Sequence, residues 1–494
     1  MNPAKANKLR WWILITVIVG TFLGRLDQTI VNLAIPNIIS DFGITVTAAG
    51  WIATAYILAN AIFVPIWGKL GDTIGRKKVY LLGFGIFIFG SVLAGIAWNL
   101  QSLIAFRVIQ AIAGSADYPT AMAIIAVTFR ETKERAQALG IWSSSFAAAS
   151  VFGPLIGGPL IDTFGWRSVF LVNLPVGILG MLMAIRFINE SREQKETVYF
   201  DWWGAITLGG MLSALVLVLD QGTSWGWFAL PSLGSYVAII VFFFIFVRIE
   251  RRAREPIVDL KFFKIPAFVN TLGNNFIVFM GMMGGIFLIP VFAQTFLGFD
   301  ATQSGYLFIP MAAALMLASP IGGRLIGRVS ARYVIFASTL VAGVGILLFS
   351  RLDPKSGALA IIIPLCVMAF GMGFGMAQRT NIIASVVDQS EIGIASSVLA
   401  LARNVAGAFG IALFGTLLNN RIERTILSIN SLSVLHSHLA SDVQTFISLV
   451  ILKAQVDAYD YVFVVAGIVT IVGSFTALWL KIAHERSDVK VHVE

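Results

Sequence analysis

A chain of 494 residues that is 57% hydrophobic and only 12% charged, with a mean hydropathy of +0.86, is not a soluble globular protein; such proteins carry about 25% charged residues. The net charge of +9 is scattered over many short segments and forms no basic patch, which argues against a nucleic-acid partner. The one cysteine, Cys366, excludes an intrachain disulfide.

Stretches of about 20 mostly apolar residues, the length that crosses a bilayer, recur at 11–35, 49–68, 79–97, 103–128, 137–161, 168–187, 203–220, 232–248, 268–292, 304–324, 332–350, 358–379, 394–419 and 460–481. The expected fold class is therefore an all-α polytopic membrane protein with fourteen transmembrane helices. The first stretch follows Lys5, Lys8 and Arg10 as a signal peptide would, but it contains Asp27 and no small-residue cleavage site, so it reads as a retained span. The one long loop expected outside the membrane is 420–459. Its His436 and His438 have metal-ligand spacing, but a solvated loop is the preferred reading, and no metal or other cofactor is expected. No histidine lies in any span.

An even number of spans leaves both termini on one side. Segments on that side hold 26 of the 35 Lys and Arg and the opposite loops 6, with Arg25, Arg107 and Arg403 inside spans. The positive-inside rule puts both termini in the cytoplasm, with the excess charge facing anionic headgroups. A gapless shift of 255 residues matches Gly50 to Gly305, Trp51 to Tyr306, Pro65 to Pro320, Gly68 to Gly323, Lys69 to Arg324 and Lys77 to Arg332. This predicts two homologous six-helix bundles, 1–190 and 261–494, with two inserted helices and a cytoplasmic linker at 191–260. Facing repeats of this kind build many secondary transporters. No GxxxxGK[ST] motif occurs, which argues against ATP-driven pumping.

Five motifs follow in order. They are LDQTIVNLAIP (Leu26–Pro36), GKLGDTIGRKK (Gly68–Lys78), LIAFRVIQAIAG (Leu103–Gly114), GPLIGGP (Gly153–Pro159) and WRSVFLVNLPVG (Trp166–Gly177). Together they resemble the major facilitator superfamily, and specifically its fourteen-span drug:proton antiporter branch (the EmrB/QacA type), over nearly the whole chain up to the LARNVAG stretch around Arg403. The resemblance implies alternating access, with proton entry exchanged for export of substrate.

The residue chemistry fits that implication. Gly68 and Gly75 allow a tight turn in the second motif, and Asp72 with Arg76 is expected to form a cytoplasmic gate; Gly327 stands where a second-half Asp72 would fall. Gly153, Pro154, Gly157 and Gly158 bend the fifth span and let it pack closely, the pattern that the resemblance associates with proton-driven exporters. Charges inside a membrane are costly and usually functional. Asp27 and Arg107 match the acid and the arginine of family motifs on neighbouring spans. Asp117, beside Tyr118 and Pro119, departs from the family's small residues there and is a second candidate proton site, with a structural pair to Arg25 as the alternative. Proton coupling is thus expected at Asp27 and Asp117, tuned by Arg107. A proton moving down 100 mV supplies about 2.3 kcal/mol, enough for uphill export.

Arg25, Trp51, Tyr56, Phe276, Phe279, Tyr306 and Arg403 are candidates to line a substrate cavity. Spans 9 to 13 read as holding no buried acid, with Arg403 as their only mid-span charge, so multivalent cations are disfavoured. Monovalent cations, neutral amphiphiles and anions remain open. The expected function is export of amphiphilic organic compounds, most simply multidrug efflux, across the plasma membrane. The alternatives are export of an endogenous lipid, siderophore or metabolite, and more remotely a membrane-embedded enzyme, for which no catalytic His, Cys or paired-acid cluster is found. The expected partners are a small amphiphilic organic substrate, protons and membrane lipids, with a monomer as the acting unit.

Overall fold

The computed structural model describes residues 3–129, 131–191, 201–253, 256–387, 392–432 and 440–480. Among these, every regular element is helical: α1 (Pro3–Phe42), α2 (Val46–Ile74), α3 (Arg76–Gly95), α4 (Leu100–Gly114), α5 (Asp117–Thr128), α6 (Thr132–Phe164), α7 (Ser168–Leu171), α8 (Asn173–Phe187), α9 (Trp202–Trp225), α10 (Leu230–Glu250), α11 (Pro266–Phe296), α12 (Ala301–Tyr306), α13 (Phe308–Gly323), α14 (Ala331–Leu348), α15 (Ala358–Ser385), α16 (Ile392–Leu432) and α17 (Ala440–Ser474), with short 3₁₀ turns at three places. A lipid environment demands this, since each backbone N–H and C=O must find its partner within its own segment.

Twelve helical stretches among the described residues are long and apolar enough to cross a membrane. The remaining two expected spans are also helical but differ in form. The expected span 103–128 is broken at Ser115–Ala116 into α4 and α5. Pro119 has no N–H to give the Ser115 carbonyl, which accounts for the interruption. The expected span 137–161 lies within α6, which is 33 residues long and begins with the polar run Thr132–Arg135.

The long loop expected at 420–459 is a correction. Helix α16 runs on to Leu432 and α17 begins at Ala440, so most of that segment is helical. Between Gly415 and Gly467 the chain has neither Gly nor Pro, and nothing in its chemistry stops a helix. His436 and His438 lie outside the described residues.

The offset of 255 residues carries α1 onto α11, α2 onto α12–α13, α3 onto α14, α4 onto the start of α15, and α6 onto α16. The packing has the same symmetry. Helix α1 meets α11, α2 meets α16, and α6 meets α12 and α13. Exchanging the halves turns the second of these pairs into the third and leaves the first unchanged. Helices α9 and α10 form a hairpin in which α9 leans on α16 and α2. Helix α10 is the outlier, only 11% buried over its most apolar window, and it presents Phe243, Phe244 and Ile240 outward as a lipid-facing surface.

The apolar core is unevenly shared. One cluster joins Ile30, Ala34 and Ile35 of α1 to Phe287, Leu288 and Val291 of α11, Leu307 and Phe308, and Ile411 and Phe414 of α16. It lies toward the end of the bundle away from the N-terminus of α1. Near that N-terminus the first half has its own cluster, including Leu14, Val17, Tyr80, Phe84, Ile125 and Trp142, and the second half another, including Ala331, Ile335, Ile382 and Ala477. The halves thus share a broad core at one end, while at the other each has its own cluster and the join is limited to one in which Leu58 of α2 packs with α9 and α16.

The link between α2 and α3 is made at Gly75, whose φ of +116 lies where side chains are strained; a Cβ there also collides with the Glu190 carboxylate. Gly75→Ala is expected to lower stability by about 1–3 kcal/mol, read as a lower thermal unfolding midpoint in detergent. Gly85→Ala, in open space within α3, serves as the control and is expected to be neutral or slightly stabilising.

Candidate functional site

A fully buried polar group is centred on Asp27, which has no exposure to solvent. Arg107 donates from Nη1 to Asp27 Oδ2 at 2.6 Å and to Gln110 Oε1 at 2.5 Å. Gln110 Nε2 donates to Asp27 Oδ1 at 2.9 Å and to Ser91 Oγ at 2.6 Å. Asn173 Nδ2 donates to the same carboxylate oxygen at 2.7 Å and to Ser91 Oγ at 3.2 Å. The Arg107 guanidinium lies 4.0 Å from the centre of the Tyr56 ring and 5.6 Å from that of Phe170. Five helices and α7 are thereby tied to one carboxylate. Arg107 and Gln110 reach it together because i and i+3 share a helix face. A buried ion pair offsets its desolvation only when its remaining lone pairs are satisfied, and the three donors on Asp27 meet that condition.

Asp27 and Arg107 were legible from the sequence, but their partners were not. Gln110 and Asn173 stand inside two of the motifs, yet only the crossing of α4 and α8 with α1 gives them a role. Tyr56 requires a correction. It was a candidate cavity residue, but it is 1% exposed and covers Arg107, because an aromatic face attracts a buried guanidinium.

Asp117 begins α5 beyond the break in the fourth span. Thr21 lies beside its carboxylate, and the Thr21 hydroxyl accepts from Trp142 Nε1 at 2.9 Å. Arg25, one turn along α1 from Thr21, is in electrostatic range of Asp117 and also bonds Gln28 Oε1 at 3.1 Å. The buried Oδ1 of Asp117 has no hydrogen-bond partner. Asp117 borders a pocket of ≈ 20 Å³ between α1, α3 and α4, lined by Gly20, Gly24, Tyr80 and Gly114 among others, which is room for about one ordered water.

In the motif between α2 and α3, the backbone N–H groups of Lys77 and Lys78 donate to the Glu190 carboxylate at 3.1 and 3.2 Å, and that of Arg76 to Ser191 O at 2.9 Å. Glu190, at the end of the sixth span, thus caps α3, a role that no motif signalled. Arg76 is buried. The side chains of Gly68 and Asp72 lie outside the described residues, so the gate expected of Asp72 is a reading of the sequence alone.

The glycines of α6 make the seam with α1 and α12. Gly153 faces Thr29, Gly157 faces Ile30, and Gly158 lies against the backbone of Thr302 in the other half. The Pro154 carbonyl approaches Gly305. A turn further on, Asp162 accepts from the Ala301 N–H at 3.1 Å, the Thr302 N–H at 2.9 Å and the Thr302 hydroxyl at 2.5 Å. It thus caps a helix of the opposite half, where a carboxylate meets unpaired N–H groups. Gln294 Nε2 to Leu33 O (3.1 Å) and Thr47 Oγ1 to Gly415 O (2.9 Å) add two more bonds across the same end.

The other expected cavity residues separate. Trp51 packs on the cluster that α2, α9 and α16 share, and Phe276 pairs with Phe409 at 5.8 Å. Phe279 lies 5.2 Å beneath the guanidinium of Arg403. Tyr306 is 46% exposed. Arg403 was not the only buried charge of the second half. Arg379, read as the edge of a loop, is 1% exposed, since α15 continues to Ser385. Its Nε donates to Asn274 Oδ1 at 2.9 Å and its Nη2 to Ser338 Oγ and Thr339 Oγ1 at 3.0 and 2.7 Å.

A multi-pass helical protein with a buried ion pair and a seam between pseudo-symmetric halves has the build of a secondary transporter. The model of the Major Facilitator Superfamily matches residues 17–411, and the chain belongs to that family. It is 33% identical over 424 residues to the multidrug transporter protein MdtP of Bacillus subtilis, covering 85% of this chain and 77% of that one. It is 30% identical over 423 residues to the tetracenomycin C resistance and export protein of Streptomyces glaucescens, covering 85% and 78%. A bacterial homologue of the human lysosomal transporter Spinster, solved in an inward-facing, unoccupied conformation, superposes with a TM-score of 0.70 at 18% identity, covering 98% of this chain and 99% of that one; this likeness concerns the fold alone.

Removing Arg107 leaves the Asp27 carboxylate buried without its cation. Arg107→Met is expected to cost about 3–5 kcal/mol, seen as lost monodisperse yield, with much of the loss recovered in Asp27→Asn/Arg107→Met. For the seam, Asp162→Ala is expected to add a longer component to the distance distribution between spin labels at Ser40 and Gln303. An unchanged distribution means that Asp162 does not hold the halves together.

Proposed function

We propose that this chain is a fourteen-span, proton-coupled antiporter of the plasma membrane that exports amphiphilic organic compounds by alternating access. The count adds the α4–α5 pair and α6 to the twelve long apolar stretches, giving two six-helix bundles with α9 and α10 inserted between them. With both termini in the cytoplasm, the end of the bundle with the shared core faces outward and the end where each half has its own cluster faces inward. That is the state in which an exporter collects its substrate. Similarity to drug-export proteins at about 30% identity supports efflux of drug-like compounds, and equal similarity to a riboflavin transporter makes a dedicated metabolite the alternative cargo.

The observation that carries the coupling is the contrast between the two buried acids of the first half. Asp27 accepts from Arg107, Gln110 and Asn173, so a proton arriving there must displace a donor and loosen α1 from α4 and α8. Asp117 keeps one buried oxygen unpartnered beside a pocket, so it takes a proton without breaking an ion pair. In this reading Asp27 is the switch, with Arg107 as the competitor for its charge, and Asp117, near the cytoplasmic side, is the point from which the proton leaves. The glycine seam of α6 gives the rigid surface against which α12 rocks.

The test is proton-driven accumulation of fluorescent amphiphiles, one cationic and one neutral, in inverted vesicles. Wild type is expected to accumulate at least one of them when an acid-inside gradient is imposed. Asp27→Asn and Asp117→Asn are each expected to lose at least about tenfold of the gradient-driven rate, the scale of one lost charge-assisted contact. Wild-type vesicles that hold a gradient yet move no amphiphile of any charge defeat the export reading.

A further inference from the structure

The two halves balance their charges differently. In the first half, Asp27 is paired with Arg107, and Asp117 lies in electrostatic range of Arg25. In the second half, Arg379 and Arg403 lie in electrostatic range of each other, and among the described residues no carboxylate pairs with either. Arg379 is held by three neutral oxygens, those of Asn274, Ser338 and Thr339, which orient it and leave its charge in place.

Arg403 is held far more loosely. Its bonds to Asn275 Oδ1 and Thr380 Oγ1 are 3.5 and 3.4 Å, at the limit of hydrogen bonding, and Phe279 supports the guanidinium from one face. Donors therefore remain available on Arg403. The Nδ2 of Asn275, a residue 1% exposed, is buried without any partner. Thr380 is exposed, and Arg403 is in electrostatic range of Tyr118 of the opposite half, itself 42% exposed. Arg403 thus faces the cleft between the halves, at the end where each has its own cluster.

From these contacts we infer that Arg403, Asn275 and Thr380 form a subsite for an anionic group of the transported molecule, with Arg379 behind it adding unneutralised positive charge. The substrate class is an amphiphile bearing a carboxylate, phosphate or sulfonate, its apolar body against Phe279. A guanidinium with spare donors beside an orphaned amide N–H suits such an oxyanion. A lipophilic cation at this position instead meets two arginines with which, among the described residues, no carboxylate is paired. The inference rests on the export reading and specifies its substrate.

The test separates binding from transport. Purified protein in phosphatidylcholine nanodiscs is titrated with a fluorescent long-chain carboxylate and with its methyl ester, which has the same body and no charge. The acid is expected to bind about tenfold or more tightly than the ester, the scale of one charge-assisted hydrogen bond. Arg403→Gln is expected to abolish that ratio while leaving ester affinity unchanged, and Arg403→Lys to keep part of it. Competition by added phosphatidylglycerol identifies a lipid headgroup as the source of the anion; its absence assigns the site to the free amphiphile. Equal affinity of acid and ester in wild type, equal weakening of both by Arg403→Gln, or binding of neither probe overturns the subsite. Gradient-driven transport of the ester, measured in parallel in vesicles, distinguishes failure of the subsite from failure of the exporter.

Discussion

A charge placed inside a bilayer costs at least about 2.5–3.5 kcal/mol on insertion scales, and the first half of this protein is organised around meeting that cost at Asp27. Arg107 alone does not suffice, because a carboxylate has more lone pairs than one guanidinium nitrogen can satisfy. Gln110 and Asn173 complete the set, Ser91 receives the second bond of each, and Tyr56 covers the cation. Since the donors come from α4 and α8 and their shared acceptor from α3, the arrangement of these helices around α1 and the ionisation of Asp27 are one problem. A change in the charge of this one residue is therefore felt by four helices, which is why the proposed coupling is placed at Asp27.

The seam between the halves is built on a different principle. Between helices in lipid there is little hydrophobic driving force, and close backbone approach does most of the work. Gly158 against Thr302 and Gly305 against Pro154 permit that approach. Asp162 then secures it by capping α12 with three hydrogen bonds that a small rotation of α12 would break together. A contact of this kind is firm when made and easily lost as a unit, which suits the alternating access proposed above.

The second half differs in its electrostatics. Its arginines are solvated by hydroxyls and amides, so it is the positive side of the cleft and the first half is the balanced side. The asymmetry extends to the loops: α2 continues through Asp72 to Ile74, whereas α13 ends at Gly323 and Gly327 adopts a φ of +75 where Asp72 would fall. Two bundles with a shared packing scheme thus carry different chemistry.

Much of this was legible in the chain itself. Apolar run length and loop charge define a polytopic helical protein, since partition into lipid is local and additive along the sequence. The repeat at 255 residues pointed to two homologous bundles, though not to the pairing of α2 with α16 and of α6 with α12, and the motifs marked Asp27, Arg107 and the α6 glycines. What the sequence misjudged were matters of partnership and termination. Arg379 read as the edge of a loop because only packing against α11 and α14 carries it inside. Residues 420–459 read as a loop because their charge suggested solvent, although no Gly or Pro ends the helices there. Tyr56 read as a cavity wall, and Gln110, Asn173, Asp162 and Glu190 went unremarked. A polar side chain has the same composition whether it meets water, lipid or a buried carboxylate, and which of these it meets depends on helices far apart in sequence. The apolar helices long enough to cross a membrane were therefore determined by the sequence alone, through a sum over local terms. The partners of each buried charge were decided by tertiary structure, because hydrogen bonds require atoms to meet within about 3 Å, a condition that only the crossing of helices can meet.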